Sequence, residues 1–375
     1  MTDTTAYHAP RIFDGETWHD MAALVVTDAR VARIVPQADA PAGMRIDHML
    51  APGFVDLQVN GGGGTLFNDA PTPQGIATIC DAHARLGTTA LMVTLITDTV
   101  DVTVKAIAAA QGARHPAFLG LHLEGPHIAV TRRGTHDAAL IRPMTPDDLK
   151  MLMQAAEAQA HLICTLAPES VTPAQIAALV GAGAVVSIGH SDCDFDTART
   201  CADAGATMDT HLFNAMSPLG HRTPNLVGTA LDDGRLWAGL IADGHHVDPA
   251  ALRIALRAKA GPAGVFLVSD AMSTVGSDVT ELTLNGRRIR RAGGRLSLDD
   301  GTLAGADIAL IDAVRYVHLT LNTPLEQALA LASSAPAAAL GLLDRGHLRP
   351  GARADFVALT PEITTAATWI GGRPA

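Results

Sequence analysis

Residues 162–190 read LICTLAPESVTPAQIAALVGAGAVVSIGH. Two short apolar runs, Leu162–Leu166 and Ala184–Ile188, flank an amphipathic stretch at Pro173–Ala182. A short apolar run is typical of a strand buried on both faces, and the stretch between the runs is typical of a helix. The segment therefore predicts one strand–helix–strand unit of the kind that builds a parallel sheet.

The same rhythm continues in both directions from this segment. Six further apolar runs occur between residues 53 and 268, at Gly53–Val59, Thr89–Thr94, Phe118–Leu123, Thr207–Asp209, Trp237–Ile241 and Val265–Val268. Eight strand–helix units predict an α/β fold with a (β/α)₈ barrel of the TIM type. A doubly wound open sheet is the alternative, but its first strand is normally followed by GxGxxG, whereas Gly61–Gly64 is GGGG without that spacing.

The two chain ends have β-type patterns of their own. Short pieces at Ala22–Thr27 and Val31–Val35 precede the barrel, and two more, Gly351–Thr360 and Thr368–Arg373, follow it. Two strands alone cannot bury a hydrophobic face. We therefore expect residues 1–51 and 345–375 to form one small β-sandwich domain.

The barrel domain is predicted to span residues 52–344, with one interruption at about 273–305. Hairpin-like pieces at Glu281–Leu284 and Arg295–Leu298 lie next to turn signals at Asn285-Gly286 and Gly293-Gly294. We expect this β-hairpin insertion to cover the mouth of the barrel.

Composition excludes several classes of protein. The chain of 375 residues has 27 basic and 38 acidic side chains, a formal net charge of −11, which argues against a nucleic-acid binder. No apolar run approaches the roughly 18 residues of a membrane span, and the first ten residues do not read as a signal peptide. The four cysteines are scattered, which argues against disulfides and favours a cytoplasmic location.

Polar residues that follow the predicted strands are the candidates for chemistry, because active sites of parallel barrels form at the carboxyl ends of the strands. Those residues are Gln58, Asn60, Glu124, His190, His211, His245, His246 and Asp270. One carboxylate and two imidazoles suit a divalent metal, so Glu124, His190 and His211 are the predicted ligands. Asp270 is the predicted general base and acid. Taken singly, each residue has a structural alternative, such as a hydrogen-bonded histidine or a helix cap; their shared position at strand ends favours the metal site.

Seven motifs carry a family resemblance. They are PGFVDLQVNG, GLHLEGPHI, SIGHSD, THLFNAMSPL, IADGHHV, LVSDAM and GTLAG. From about residue 10 to the C-terminus the chain closely resembles the N-acetylglucosamine-6-phosphate deacetylases of the amidohydrolase superfamily. The resemblance implies the same metal ligands and the same role for Asp270. Where many amidohydrolases have HxH, this chain has Gln58 and Asn60, which implies a single zinc or iron ion per subunit and leaves water-mediated or second-site contacts open.

The resemblance also implies a substrate site. His136 would polarise the acetyl carbonyl and stabilise the oxyanion, and Arg222 would reach the phosphate in the neighbouring subunit of a homodimer. The other implied contacts are Thr135, Asn214, Ala215, His246, Leu303, Ala304 and Gly305. It assigns no role to His127 or His245.

The expected reaction is hydrolysis of N-acetyl-D-glucosamine 6-phosphate to D-glucosamine 6-phosphate and acetate. A deacetylase of another N-acyl amino sugar and a cyclic-amide hydrolase are alternatives within the superfamily. A non-catalytic sugar-phosphate sensor is an alternative of another class, which the absence of HxH favours and the complete Glu124, His190, His211 and Asp270 set opposes. No nucleic acid or membrane partner is expected.

Overall fold

The computed structural model describes residues 4–375. The first five strands are β1 (Thr4–Phe13), β2 (Trp18–Thr27), β3 (Arg30–Pro36), β4 (Met44–Arg45) and β5 (Met49–Pro52). β1, β2 and β3 form an antiparallel meander, whereas β4 and β5 pair with β1 in parallel. β1 was not predicted from the sequence, because exposed Pro10 and Arg11 interrupt its apolar pattern.

Eight parallel strands form the barrel. The first is β6 (Phe54–Val59), after which the GGGG segment begins a small hairpin of β7 (Gly61–Gly62) and β8 (Thr65–Leu66). The other barrel strands are β9 (Thr88–Ile96), β10 (Phe118–Glu124), β11 (Leu162–Leu166), β12 (Val185–Ile188), β13 (Met208–Asp209), β14 (Trp237–Leu240) and β15 (Val265–Leu267). They pair in chain order from β6 to β15. The predicted (β/α)₈ barrel is confirmed, and its strands are buried on both faces as in other parallel sheets.

The barrel closes where β15 meets β6. The N–H of Asp270 donates to the carbonyl of Gln58 over 3.0 Å. Further along this seam, the buried Asp56 carboxylate accepts the N–H groups of Gln58 and Ser269. Burial raises the pKa of Asp56 to about 7. The seam therefore brings the first and last predicted strand-end groups side by side.

Seven helices lie between the barrel strands: α1 (Pro73–Ala84), α2 (Val100–Gly112), α3 (Pro146–Ala158), α4 (Pro173–Gly181), α5 (Phe195–Asp203), α6 (Asn225–Asp232) and α7 (Pro249–Ala258). Four of them begin at a proline after a threonine or aspartate whose side chain accepts a backbone N–H. These pairs are Thr72-Pro73, Thr145-Pro146, Thr172-Pro173 and Asp248-Pro249. The threonine or aspartate caps the helix, and the proline fixes the φ angle of the first helical residue. No helix among residues 4–375 is long and apolar enough to cross a bilayer.

After β15 the chain forms an inserted antiparallel sheet of β16 (Glu281–Leu284), β17 (Arg287–Ala292), β18 (Arg295–Leu298) and β19 (Leu303–Ala306). The predicted turns at Asn285-Gly286 and Gly293-Gly294 join its first three strands. β17 was not predicted from the sequence, because its sequence RRIRRA contains four arginines around one fully buried residue, Ile289.

Three helices and three strands complete the chain: α8 (Leu310–Leu321), α9 (Leu325–Leu331), α10 (Ser334–Ala339), β20 (Phe356–Leu359), β21 (Thr365–Ile370) and β22 (Arg373–Pro374). β20 pairs with β5, so both chain ends share one sheet, in the order β22-β21-β20-β5-β1-β2-β3 with β4 beside β1. Tyr7 packs edge-on against Phe356, with ring centroids 4.9 Å apart, and Phe356 stacks on Trp369. The core of this sheet therefore requires both chain ends.

Candidate metal centre and substrate cavity

A cavity of about 270 Å³ opens at the carboxyl ends of the barrel strands. All but three of the site residues predicted from sequence line it: Asn60, Glu124, Thr135, His136, His190, His211, Asn214, Ala215, His246, Asp270, Leu303 and Gly305. Gln58 lies directly behind the lining and hydrogen-bonds to it. Ala304 faces the core of the inserted sheet, because side chains alternate along β19. Arg222 is exposed and does not line the cavity of its own chain.

Three of these side chains converge on one point. Oε1 of Glu124 lies 3.2 Å from Nε2 of His190 and 3.1 Å from Nε2 of His211. The two Nε2 atoms are 3.1 Å apart. The three residues come from the ends of β10, β12 and β13, and all are buried. Among the described residues, this is the one group of three histidine, cysteine or acidic side chains found close enough to hold a metal ion.

The hydrogen bonds and donor atoms of the group are compatible with a bound cation. Nδ1 of His190 donates to the carbonyl of Arg132 over 2.8 Å, so in the neutral ring Nε2 carries a lone pair that can bind a cation. A divalent cation bound between such electron-rich atoms would stabilise their close approach. Tetrahedral zinc bound to N and O ligands holds them about 3.4 Å apart, close to the spacing found here. The donor set therefore fits one divalent cation.

The pKa values of the group also reflect its attraction for positive charge. Burial opposes ionisation of Glu124, but hydrogen bonds and charge from His190 and His211 outweigh it and hold the pKa of Glu124 well below its ordinary value. Burial opposes protonation of His211, yet the hydrogen bond and charge of Glu124 raise the pKa of His211. The carboxylate thus remains ionised and available to a cation.

Asp270 lies beside this group and is held by the two amides that replace HxH. Nε2 of Gln58 donates to Glu124 over 3.0 Å and to Asp270 over 3.2 Å. Nδ2 of Asn60 donates to Oδ1 of Asp270 over 2.7 Å. Burial and then the charge of Glu124 raise the pKa of Asp270 to about 6. In this arrangement both amides orient carboxylates through their N–H groups.

The two histidines of the group and Asp270 have left-handed backbone conformations, as does the cavity-lining residue Ala215. The φ angles are 51° at His190, 34° at His211 and 50° at Asp270. Residues with a Cβ avoid this region because the Cβ approaches the following carbonyl. Such conformations persist where the surrounding structure enforces them, and they cluster at functional sites. His190, His211 and Asp270 lie two or three residues beyond the last residue of a barrel strand, and no sequence pattern predicted the strain.

Two further histidines face the cavity in defined orientations. Nε2 of His136 lies 3.9 Å from Oε2 of Glu124, and its Nδ1 lies 2.6 Å from Oγ1 of Thr97. Burial lowers the pKa of His136 to about 3, so its imidazole is neutral. Nδ1 of His246 lies 2.6 Å from a carboxylate oxygen of Asp243. In each histidine, the contact of Nδ1 holds the ring in place and points Nε2 away from that partner.

Four residues that support the site were not predicted from the sequence: Thr97, Arg132, Asp243 and Arg287. Arg287 of the inserted sheet donates to the carbonyl of Thr135. The predicted second strand ended at Thr94, whereas β9 ends at Ile96, so Thr97 was not recognised as a strand-end residue. Asp243 gave a usable signal, because it follows the seventh run in the motif IADGHHV.

The two histidines without a predicted role lie outside the cavity lining. His127 is buried, and its Nδ1 donates to the carbonyl of Arg142 over 3.0 Å. The backbone N–H of His245 donates to Asp243 over 2.8 Å.

Comparison with known proteins identifies the family. Residues 49–375 match the model of the amidohydrolase family. The chain belongs to the amidohydrolase family. This amidohydrolase is 40% identical over 338 residues to the N-acetylgalactosamine-6-phosphate deacetylase of Shewanella sp. (strain ANA-3), covering 89% of this chain and 85% of the relative. It is 39% identical over 339 residues to the N-acetylglucosamine-6-phosphate deacetylase of Bos taurus, covering 86% and 82%. The predicted resemblance is confirmed.

The fold comparison gives the same result for the amidohydrolase. The crystal structure of N-acetylglucosamine-6-phosphate deacetylase from Pasteurella multocida superposes with a TM-score of 0.95 at 30% identity, and the match covers 100% of both chains. The family is metal-dependent, which agrees with the Glu124, His190 and His211 group.

Proposed function

We propose that this amidohydrolase hydrolyses the acetamide of N-acetyl-D-glucosamine 6-phosphate to D-glucosamine 6-phosphate and acetate. The observation that carries the proposal is the convergence of three metal-ligating side chains, an acidic group and a neutral histidine on one cavity. The relatives and the solved structure described above support the substrate class, because each is named a deacetylase of an amino sugar 6-phosphate.

In the proposed mechanism Glu124, His190 and His211 hold one divalent cation, zinc or iron. Such a cation, when bound, acidifies a water molecule and polarises a carbonyl group. Asp270 accepts the proton of the attacking water, and Nε2–H of His136 donates to the oxygen that becomes negative. Asp270 then returns the proton to the departing amine. The C–N bond of the amide breaks, a C–O bond forms, and acetate leaves.

A phosphate group is bound most strongly by positively charged side chains. Among the described residues, the cavity lining includes no lysine or arginine. Arg222 is exposed, and its side chain has no hydrogen bond or ion pair among the residues that the structure describes. We propose that the protein is a homodimer in which Arg222 binds the phosphate in the neighbouring site, together with Asn214 and Ala215. The remaining proposed sugar contacts are Thr135, His246, Leu303 and Gly305, whereas Ala304 faces the core of the inserted sheet and is not proposed as a contact.

Replacing Arg222 by Gln is expected to lower kcat/KM for the phosphorylated sugar by about 10- to 100-fold, because a charged hydrogen bond is lost. Turnover of unphosphorylated N-acetylglucosamine should not change. Exposed Arg257 on α7 provides the matched control, and Arg257→Gln should have no effect. Equal losses on both sugars would contradict the assignment.

A mixing experiment tests whether Arg222 acts across subunits. When Arg222→Gln chains are combined with Asp270→Asn chains, each mixed dimer contains one site with both residues intact. We expect activity to reappear on mixing and reassociation. An arginine that acted within its own chain would leave both sites of the mixed dimer defective, and no activity would return.

A second candidate substrate differs only at C4 of the sugar. The Shewanella relative, at 40% identity, is named for N-acetylgalactosamine 6-phosphate, which supports this alternative. Initial rates of acetate release from the two 6-phosphates, measured on one metal-loaded preparation, decide between them. Binding of either sugar without acetate release would instead indicate a sensor.

The proposed base predicts an acid limb in the pH profile. Asp270 must be ionised to accept a proton, so kcat/KM should rise with pH until the carboxyl is fully ionised. Its pKa is about 6, and a neighbouring divalent cation lowers it further. We expect the break at or below about pH 6 in profiles measured with metal content checked at each pH. Activity that rises as the pH falls would contradict this role.

We also propose a reducing compartment, the cytoplasm, as the location of the protein. All four cysteines are free and buried. Burial raises the pKa of the Cys164 thiol to about 12 and that of Cys201 to about 11, so both remain protonated.

A further inference from the structure

Thr97 lies directly behind His136 at the end of β9. Its hydroxyl oxygen is 2.6 Å from Nδ1 of His136 and 3.3 Å from the backbone carbonyl of Glu124. Thr97 is 2% exposed and His136 is 3% exposed, so bulk water does not compete for this hydrogen bond. We infer that Thr97 is a positioning residue that selects the tautomer of His136 in which Nε2 carries the proton. This inference rests on the proposed deacetylation for its catalytic meaning.

The hydroxyl of Thr97 has one proton and two possible acceptors. If the proton points to the Glu124 carbonyl, Nδ1 of His136 must carry a hydrogen and donate to Thr97. If it points to Nδ1, then Nδ1 is the acceptor and Nε2 carries the hydrogen. A hydroxyl donor makes shorter hydrogen bonds than an N–H donor, and 3.3 Å is long for a hydroxyl donor. The distances therefore favour donation from Thr97 to His136.

The surrounding backbone keeps the hydroxyl in this position. Gly125 has a φ of +78°, and a Cβ built there would lie 2.2 Å from Oγ1 of Thr97. The absence of a side chain at Gly125 thus makes room for the hydroxyl. On the other side, Nδ2 of Asn285, in the first turn of the inserted sheet, donates to the Thr97 carbonyl over 3.3 Å.

The tautomer decides what His136 presents to the cavity. With Nδ1 as acceptor, neutral His136 directs an N–H group towards the position where negative charge develops. With the opposite tautomer, it would direct a lone pair there and oppose that charge. Loss of one oxyanion donor typically costs about 10²- to 10³-fold in kcat.

Thr97→Val, which keeps the shape and removes the hydroxyl, is the test substitution. Because some molecules would retain the productive tautomer, we expect kcat to fall by about 10- to 100-fold with KM within about threefold of wild type. Thr97→Ser restores the hydroxyl and should restore kcat. Thr88→Val is the matched control, since Thr88 is buried at the start of β9, the strand that Thr97 follows, and its hydroxyl has no partner. A Thr97→Ala variant extends the test if Thr97→Val folds poorly.

The tautomer itself can be read without turnover. In ¹⁵N-histidine-labelled metal-loaded protein, the His136 signals are those absent from His136→Gln. We expect protonated Nε2 and unprotonated Nδ1 in wild type and Thr97→Ser, and a shift towards protonated Nδ1 in Thr97→Val. Protonated Nδ1 in wild type, or an unchanged tautomer and kcat in Thr97→Val, would overturn the inference. Wild type with protonated Nε2 but no acetate release would overturn the proposed reaction and leave the tautomer assignment standing.

Discussion

Replacing Asp270 by Asn is expected to lower kcat for deacetylation by on the order of 10²- to 10⁴-fold, the usual contribution of a general acid–base group. Asparagine has the same shape, and its carbonyl oxygen can still accept the N–H groups of Gln58 and Asn60 that now bind Oδ1 of Asp270. It cannot accept a proton from water or return one to the amine. The fold and the metal content should therefore be retained while turnover is lost, which elemental analysis and acetate release measure on the same sample.

Asp209→Asn provides the matched control for this substitution. Asp209 is a buried aspartate of barrel strand β13 that lies outside the substrate cavity lining, and burial raises its pKa well above the ordinary value. A neutral aspartic acid is close to asparagine in shape and charge, so kcat should stay within about twofold of wild type. An Asp270→Asn variant that is fully metal-loaded and turns over at the wild-type rate would disprove the acid–base role.

Glu124→Gln is expected to remove the metal ion. Glu124 supplies the one negative charge among the three predicted ligands, and an amide is a poor ligand for zinc or iron. We expect metal content after dialysis to fall to roughly a tenth of an ion per chain or less, and kcat to fall by about 10³-fold or more, since both acidification of water and polarisation of the carbonyl are lost. Elemental analysis of the wild type in the same series identifies the ion as zinc, iron or another metal.

The His127→Gln variant distinguishes loss of the metal centre from the general effect of replacing a buried polar residue. His127 is as buried as Glu124, at 2% exposure each, but its ring nitrogen donates to the Arg142 carbonyl away from the cavity. This variant should retain metal and most of its activity. If Glu124→Gln kept its metal and the control lost it, the ligand assignment would be wrong.

The barrel could be predicted because its signals are local. Runs such as Leu162–Leu166 are buried on both faces. The Thr172-Pro173 pair marks the start of the following helix, and the whole capping signal lies within four consecutive residues. Predictions failed where local composition misleads. β17 is arginine-rich because it lies in an exposed inserted sheet, and β1 contains a proline at a position where it is exposed.

The prediction of the metal group needed only one rule beyond local pattern, that strand ends of a parallel barrel meet at one rim. Glu124, His190 and His211 satisfy it, and the structure brings them within 4.8 Å of one another. The rule failed for Thr97, because an error of two residues in the end of β9 removed it from consideration. It also could not tell that Ala304 faces the inserted core while its neighbours face the cavity.

The amino-acid sequence by itself determined the βα rhythm, the helix starts, the family and the residue types at the strand ends, because apolar periodicity and capping act over a few neighbouring residues. Only the tertiary structure decided which atoms contact each other. The carbonyl of Arg132 orients His190 across 58 residues of sequence, the hydroxyl of Thr97 reaches His136 across 39, and Gln58 joins Glu124 to Asp270 across the closing seam. Hydrogen bonds depend on distance and direction in space, and neither can be read from the spacing of residues along a chain.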